Sequence, residues 1–295
     1  MSSCNLIIDN EKCVHCGKCI ADCGAYCLEF DENKIPKFSE GGEARCIKCQ
    51  HCLAVCPTGA LSIFGKKSED SQASSGCNSE ELLNLIKSRR SIRAYKQQNL
   101  DKDKLDKIKD VLKWTPTGCN FHQLDFAFVD DIEVMNEIRN TINSRLIKCL
   151  ESTCLNTFAK KFSRYKQAIL NGQDVIFRGA PHMVIVSTPI NAPCVNVDPM
   201  IALSYFELYA QSLGVGTLWC GLGYYCFKLF PDLCEQIEVP EGYKVSYVML
   251  FGEKDVDYPR TIQPDEVSIH SVKLLGNRKM SIFESIKHFI LNIIR

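Results

Sequence analysis

The chain has 295 residues, enough for one small and one larger domain. Apolar residues make up 45% and charged residues 24%, ordinary for a soluble globular protein, and 35 basic residues balance 35 acidic ones, so no charge excess points to nucleic acid. No apolar run approaches the ~18 residues of a membrane-spanning helix, and residues 1–10 hold only Leu6, Ile7 and Ile8 as a short apolar stretch, which does not make a signal peptide.

The first features in chain order are two near-identical cysteine runs. Cys13-x2-Cys16-x2-Cys19-x3-Cys23 recurs as Cys46-x2-Cys49-x2-Cys52-x3-Cys56, followed by Pro57; Gly24 stands at the equivalent place of the first run. Four thiolates at this spacing suit a four-iron, four-sulfur cluster. The first three wrap one cluster from a tight loop, and the fourth, a helical turn further on, ligates the other. The expected sets are Cys13, Cys16, Cys19 with Cys56, and Cys46, Cys49, Cys52 with Cys23. Zinc takes four ligands rather than eight in two triplets and two singles, and a disulfide framework suits a short secreted chain. Residues 4–65 resemble the bacterial two-cluster ferredoxin domain, with hairpin-like strands expected over Tyr26–Phe30 and Ala60–Phe64. The remaining ten cysteines have no metal-ligand spacing. Most are expected to be small buried hydrophobes, and their number suits a reducing cytoplasm in an oxygen-poor cell, an anaerobe.

The composition changes after this module, expected to span residues 1–65. Between Gly65 and Ser79 only Ala73 and Cys77 are apolar, so residues 66–79 read as a linker. A second domain, 80–268, opens with a helix capped by Asn78 or Ser79, with Glu80 and Glu81 at its positive end and Leu82, Leu83 and Ile86 as an expected buried stripe. Asp101 starts a second helix, carrying Leu105, Ile108 and Leu112, which stops at Thr115-Pro116. A strand over Leu124–Val129 and a helix over Asp131–Lys148 follow, the latter with Met135, Ile138, Ile142 and Leu146 aligned. Met183–Thr188 reads as a strand, Val197–Leu213 as a largely apolar helix, and Gly216–Cys220 and Val245–Gly252 as strands. The expected class is α+β.

Three segments of this domain carry ligand-binding chemistry. Arg89-Arg90-Ser91-Ile92-Arg93 sets three guanidinium groups and a hydroxyl within five residues, and such forks match phosphate bidentately. Pro116-Thr117-Gly118-Cys119-Asn120-Phe121-His122-Gln123 is a polar loop between a helix and a strand. Leu213-Gly214-Val215-Gly216-Thr217-Leu218-Trp219-Cys220-Gly221 follows a hydrophobic helix, and its glycines let backbone approach a flat ring. Arg260 follows the last strand. Gly214-x-Gly216 lacks the third glycine of a dinucleotide fingerprint, since position 219 is Trp.

In order and spacing, residues 79–265 resemble the nitroreductase family of FMN flavoproteins. The resemblance implies that Arg89, Ser91 and Arg93, with Arg90 beside them, hold the phosphate and pyrimidine end of FMN, and that Arg260 also reaches the phosphate. It implies that Pro116, Thr117 and Asn120 line the flavin, and that backbone near Cys220, Gly221 and Leu222 donates a hydrogen bond at flavin N5. His122-Gln123-Leu124 stands where the family has Gln-Pro-Trp, so His122 takes the glutamine's place at the flavin, on the substrate side, or is a surface or hydrogen-bonded core residue; the flavin itself is the reactive group. The resemblance further implies a homodimer with FMN at the interface and terminal extensions that embrace the partner.

In the C-terminal extension, residues 269–295, Phe283, Ile286, Ile290 and Ile293 recur at helical spacing, widened by Ile282, Phe289 and Ile294, with Lys279, Lys287 and Arg295 as basic residues. Packing on this or another subunit is expected ahead of a membrane surface. The function expected is an oxidoreductase that passes electrons from a ferredoxin-like donor or NAD(P)H through two 4Fe-4S clusters to FMN. A small organic acceptor such as a nitroaromatic or quinone then receives them. The alternatives are a non-catalytic electron carrier and a redox sensor, the latter without any DNA-binding helix pair or basic patch.

Overall fold

The computed structural model describes residues 5–151, 159–273 and 281–293. Contacts divide the chain into a compact unit up to Thr261 and a second unit from Ile262. Among the described residues no helix is long and apolar enough to cross a membrane.

The cysteine module is built from short pieces. Strand β1 (Leu6–Ile8), helix α1 (Lys18–Ala21), strands β2 (Leu28–Phe30) and β3 (Pro36–Phe38), helices α2 (Gly42–Arg45) and α3 (His51–Ala54) and strand β4 (Leu61–Ile63) follow in order. β1 pairs antiparallel with β4 and β2 with β3. The buried core is Leu6, Cys19, Cys27, Leu28, Cys52, Leu53, Leu61 and Ile63. Three of these eight are cysteines, so the apolar core alone is thin.

After an exposed stretch with one 3₁₀ turn at Ser68–Asp70 comes α4 (Ser79–Ser88). Asn78 caps it, accepting from the N–H groups of Glu80 at 2.9 Å and Glu81 at 3.4 Å. The stripe expected to be buried is not: Leu82, Leu83 and Ile86 are 42%, 40% and 49% exposed. The sequence pattern is amphipathic, but among the described residues of this unit nothing fully covers the apolar face. Helix α5 (Lys102–Asp110) is capped by Asp101 and tightens into a 3₁₀ turn, Val111–Trp114, before Pro116.

Strand β5 (Asp125–Val129), helices α6 (Ile132–Glu151) and α7 (Lys166–Leu170), strand β6 (His182–Pro189), helix α8 (Asp198–Ser212), strand β7 (Val215–Trp219), helices α9 (Gly221–Leu229) and α10 (Asp232–Gln236), and strand β8 (Tyr243–Glu253) complete the larger domain. The antiparallel sheet runs β5-β6-β8-β7. Alternation along β6 explains its uninterrupted apolar sequence. Met183 and Ile185 face a core with Met135, Ile142 and Leu146 of α6, while Val184 and Val186 face Leu203 and Phe206 of α8. The sheet is buried on both sides, which makes the domain a mixed helix–sheet sandwich. His182 is fully buried beside Phe251, its Nε2 accepting the Leu100 N–H at 2.9 Å. Desolvation lowers its pKa to about 4, so the imidazole stays neutral in this core.

Of the eight described cysteines outside the two runs, only Cys27, Cys220 and Cys226 are buried. Cys77 and Cys119 are exposed and Cys149, Cys194 and Cys234 half-buried, so the expectation of mostly buried thiols fails. Cys4 and Cys154 lie outside the described residues, as do Lys279, Ile294 and Arg295. In the second unit, α11 (Ile282–Ile293) forms on the expected helical spacing, with Phe283, Ile286, Phe289 and Ile290 all at least 50% exposed.

Candidate functional site

The two cysteine runs fold as copies 33 residues apart. Left-handed backbone falls at matched places: His15 and Lys48, Gly17 and Gln50, Tyr26 and Gly59. The fourth thiols are matched as well, with the Cys27 N–H donating to Cys23 Sγ and the Ala60 N–H to Cys56 Sγ, both at 3.3 Å. Such donors stabilise a thiolate.

The placement is crosswise between runs. Cys13, Cys16, Cys19 and Cys56 line one cavity. Cys23, Cys46 and Cys49 line a second cleft of about 500 Å³. Cys52, buried behind them, lies within electrostatic reach of Cys46, Cys49 and Cys23. Burial pushes Cys52 up to about 12 and raises Cys19. At Cys56 burial acts the same way, but hydrogen bonds from the N–H groups of Thr58, Ala60 and Leu61 and the Thr58 hydroxyl together outweigh it and lower the pKa. Among the described residues no three cysteine, histidine or acidic side chains converge at single-ion spacing. Four thiols gathered at each of two places are the donor set of a four-iron, four-sulfur cluster, so the residues fit one.

In the larger domain, the arginine segment is pinned to β7. The Ile92 N–H donates to Thr217 O at 2.9 Å, and Ser91 bridges Thr217 in parallel. Gly216 is required there, because a Cβ would stand 2.7 Å from Ile92 Cγ1. Arg89 Nη1 meets Glu207 Oε1 at 3.2 Å, and the same carboxylate accepts from Thr217 Oγ1 at 3.3 Å and Trp219 Nε1 at 3.0 Å. Arg90 Nη1 donates to Arg89 O at 2.5 Å, while its Nη2 is buried without a partner. Arg93 Nη1 donates to Ser91 O at 3.2 Å. An orphaned guanidinium nitrogen beside two further arginines fits an anionic ligand such as a phosphate.

Cys220 caps α9: its Sγ accepts from the Gly223 N–H at 3.3 Å and its carbonyl from Tyr224. The Cys220 N–H is itself taken by Val248 O at 2.9 Å. That leaves the Gly221 and Leu222 N–H groups at the helix start without intrahelical acceptors. Burial pushes the Cys220 thiol up to about 12, so it acts as a neutral cap. Arg260 is exposed, two residues beyond Tyr258; the Tyr95 phenol lies within electrostatic reach of both Tyr258 and Arg93.

The third segment sits elsewhere. Gly118 N–H donates to Asp198 Oδ1 at 3.0 Å, at the start of α8, whereas Glu207 and Arg89 lie nine residues along that helix, about 14 Å of rise. β5, which follows the loop, and β7, which carries the arginine segment, are opposite edges of the sheet. Within one chain, Pro116, Thr117, Asn120 and His122 are therefore not gathered with Arg89, Arg90, Ser91 and Arg93. Asn120 points instead to the cysteine module: its Nδ2 donates to Ile47 O at 2.9 Å, and its Oδ1 meets His122 Nε2 at 2.8 Å. The His122 N–H donates to Thr117 Oγ1 at 2.9 Å. Glu207 and Asp198, buried acids that tie these segments to α8, were missed in sequence; an acid amid an apolar helix is the one signal that marks them.

The arrangement is a two-run cysteine module packed against a helix–sheet domain that pins an arginine segment to one edge of its sheet. The family model described as "Nitroreductase family" matches residues 86–253, and that described as "4Fe-4S dicluster domain" matches residues 12–60. The chain belongs to the nitroreductase family, a family of FMN-dependent oxidoreductases, and carries a 4Fe-4S ferredoxin-type domain.

A ferredoxin of Pyrobaculum islandicum is 36% identical over 76 residues, 24% of this chain and 64% of that protein. An FMN reductase [NAD(P)H] of Bacillus subtilis is 22% identical over 212 residues, 68% of this chain and 77% of that one. The chain thus spans 64% of the ferredoxin's length and only 13% and 15% of two longer curated relatives. A nitroreductase with bound FMN from Desulfitobacterium hafniense shares the fold at a TM-score of 0.54 and 24% identity, covering 67% of this chain and 100% of that one.

Proposed function

We propose that the protein reduces a small organic acceptor, of the nitroaromatic or quinone class, with electrons that pass through two 4Fe-4S clusters to FMN. A ferredoxin-like protein is the donor this reading favours; NAD(P)H is the other. The observation that carries it is the crosswise grouping of eight thiols on a module packed against a loop of the flavin domain. The residues fit both groups: eight thiols gather at two places, and Arg90 offers a buried, unpartnered donor.

Bound clusters supply one-electron transfer and bound FMN supplies two-electron storage, the chemistry that joins a single-electron donor to a paired reduction. The chain's residues hold and orient. Cys13, Cys16, Cys19 with Cys56, and Cys46, Cys49, Cys52 with Cys23, are the thiolate ligands. Arg89, Arg90, Ser91, Arg93 and Arg260 hold the phosphate end. Gly221 and Leu222 donate backbone N–H groups to the ring.

A homodimer completes the flavin site, a second copy bringing Pro116, Thr117 and Asn120 to the arginine cradle. The exposed Leu82, Leu83 and Ile86 and the separation along α8 support this. Anaerobically prepared protein should contain about eight irons and one FMN per chain. Dithionite should bleach clusters and flavin, and a nitroaromatic or quinone should restore the flavin faster than it oxidises free FMN. Bleaching of the clusters with a flavin that never follows would rule out the path. Turnover no faster than free FMN would leave an electron carrier.

A further inference from the structure

The two cysteine groups are alike in ligands but not in surroundings. The cavity of the first is lined only by the module's own residues, among them Ile8, Val14, His15 and Pro36. Val14 there is 59% exposed. The cleft of the second is shared: Cys23, Cys46, Cys49 and Ile47 form one side, and Pro116, Thr117, Cys119 and Asn120 of the larger domain form the other. The hydrogen bond from Asn120 Nδ2 to Ile47 O crosses this cleft, and Ile47 lies between two of the thiols.

The loop that makes the contact is held in an unusual shape. Cys119, Asn120 and His122 all have left-handed backbone, with φ of 55°, 55° and 43°. Non-glycine residues adopt this conformation at a cost and keep it where surrounding bonds fix it. Those bonds are Gly118 to Asp198, His122 to Thr117 and Asn120 to both Ile47 and His122.

We propose that the second group, Cys46, Cys49, Cys52 with Cys23, is the module's electron outlet and the first its inlet, and that Asn120 is the positioning residue that holds the outlet against the flavin-binding loop. This rests on the function proposed above and adds an order to it. Each transfer takes one electron from a reduced cluster on the second group, which is oxidised, to FMN. Two transfers, with protons from solvent, balance a two-electron reduction. Asn120 acts through the loop, since both ends of its amide are already engaged.

The test uses full-length holoprotein, mixed anaerobically with dithionite, with flavin absorbance followed by stopped flow and clusters counted by electron paramagnetic resonance. Cys16→Ser should keep the fast phase of flavin bleaching, and Cys49→Ser should lose it while retaining FMN. Asn120→Leu should slow that phase about two- to tenfold, the effect of one neutral hydrogen bond on a docked population. Rates are compared per bound FMN, its cluster signals should match wild type, and Asn120→Gln, which keeps the donor, should stay near the wild-type rate. Hydrogen exchange over residues 44–50 should rise in Asn120→Leu.

Loss of the fast phase in Cys16→Ser, or its survival in Cys49→Ser, overturns the order. Cys46→Ser repeats that arm if Cys49→Ser loses FMN. An unchanged rate in Asn120→Leu overturns the role of Asn120. Absence of any cluster-dependent phase in the wild type overturns the proposed function itself.

Discussion

Glu207 organises more of the site than any residue the sequence singles out. Its carboxylate is buried and joins Arg89, Thr217 and Trp219, three side chains from the arginine segment and the glycine-containing segment. Glu207→Ala should leave the Trp219 and Thr217 donors unpaired and the partly exposed Arg89 without its counter-charge. The expected loss is about 2 kcal/mol in denaturant unfolding, with weaker FMN retention on dilution; Glu207→Gln, which keeps acceptor capacity, should lose less. At this scale the sequence showed what has a chemical signature. Eight thiols and three arginines announce themselves by spacing. Glu207 carries only the weaker signal of an acid amid an apolar helix, because its partners lie 10, 12 and 118 residues away.

The elements were legible where periodicity and caps agree. Asn78, Asp101 and the turn before Pro116 fall where side-chain hydrogen bonding and proline sterics put them. α9 and α10 went unseen, because Gly221-Leu222-Gly223 reads as loop until Cys220 caps it. α4 was right as a helix and wrong in its burial, since period reveals an apolar face but not what covers it. A homodimer would cover that face. Leu82→Glu with Ile86→Glu should weaken self-association at least about tenfold, ~1.4 kcal/mol, by sedimentation. Far-UV circular dichroism should be unchanged, because neither side chain is in the core. A dimer as strong as wild type would send the interface elsewhere.

Across the whole molecule the two domains differ in what holds them. The flavin domain has two apolar layers around a four-stranded sheet, whereas the module has eight buried residues, two of them proposed iron ligands. Removing iron with a chelator should therefore raise hydrogen exchange throughout residues 5–64 by about tenfold or more, while β6 stays protected. Equal protection with and without iron would mean that the module's core suffices. Both domains were legible because each carries its own motifs, the cysteine runs within residues 12–60 and the arginine and glycine segments within 86–253. The packing of module on loop was not, since it turns on a single amide reaching a carbonyl 73 residues away.

Helix α8 acts in this frame as a ruler. Asp198 and Glu207, both buried, are two and a half turns apart and so face opposite sides, one fastened to the Gly118 loop and the other to the Arg89 cradle. A residue inserted between them would swing one acid by about 100° away from its partner. The spacing of these two acids, more than the identity of most residues between them, fixes how the loop and the cradle are set apart.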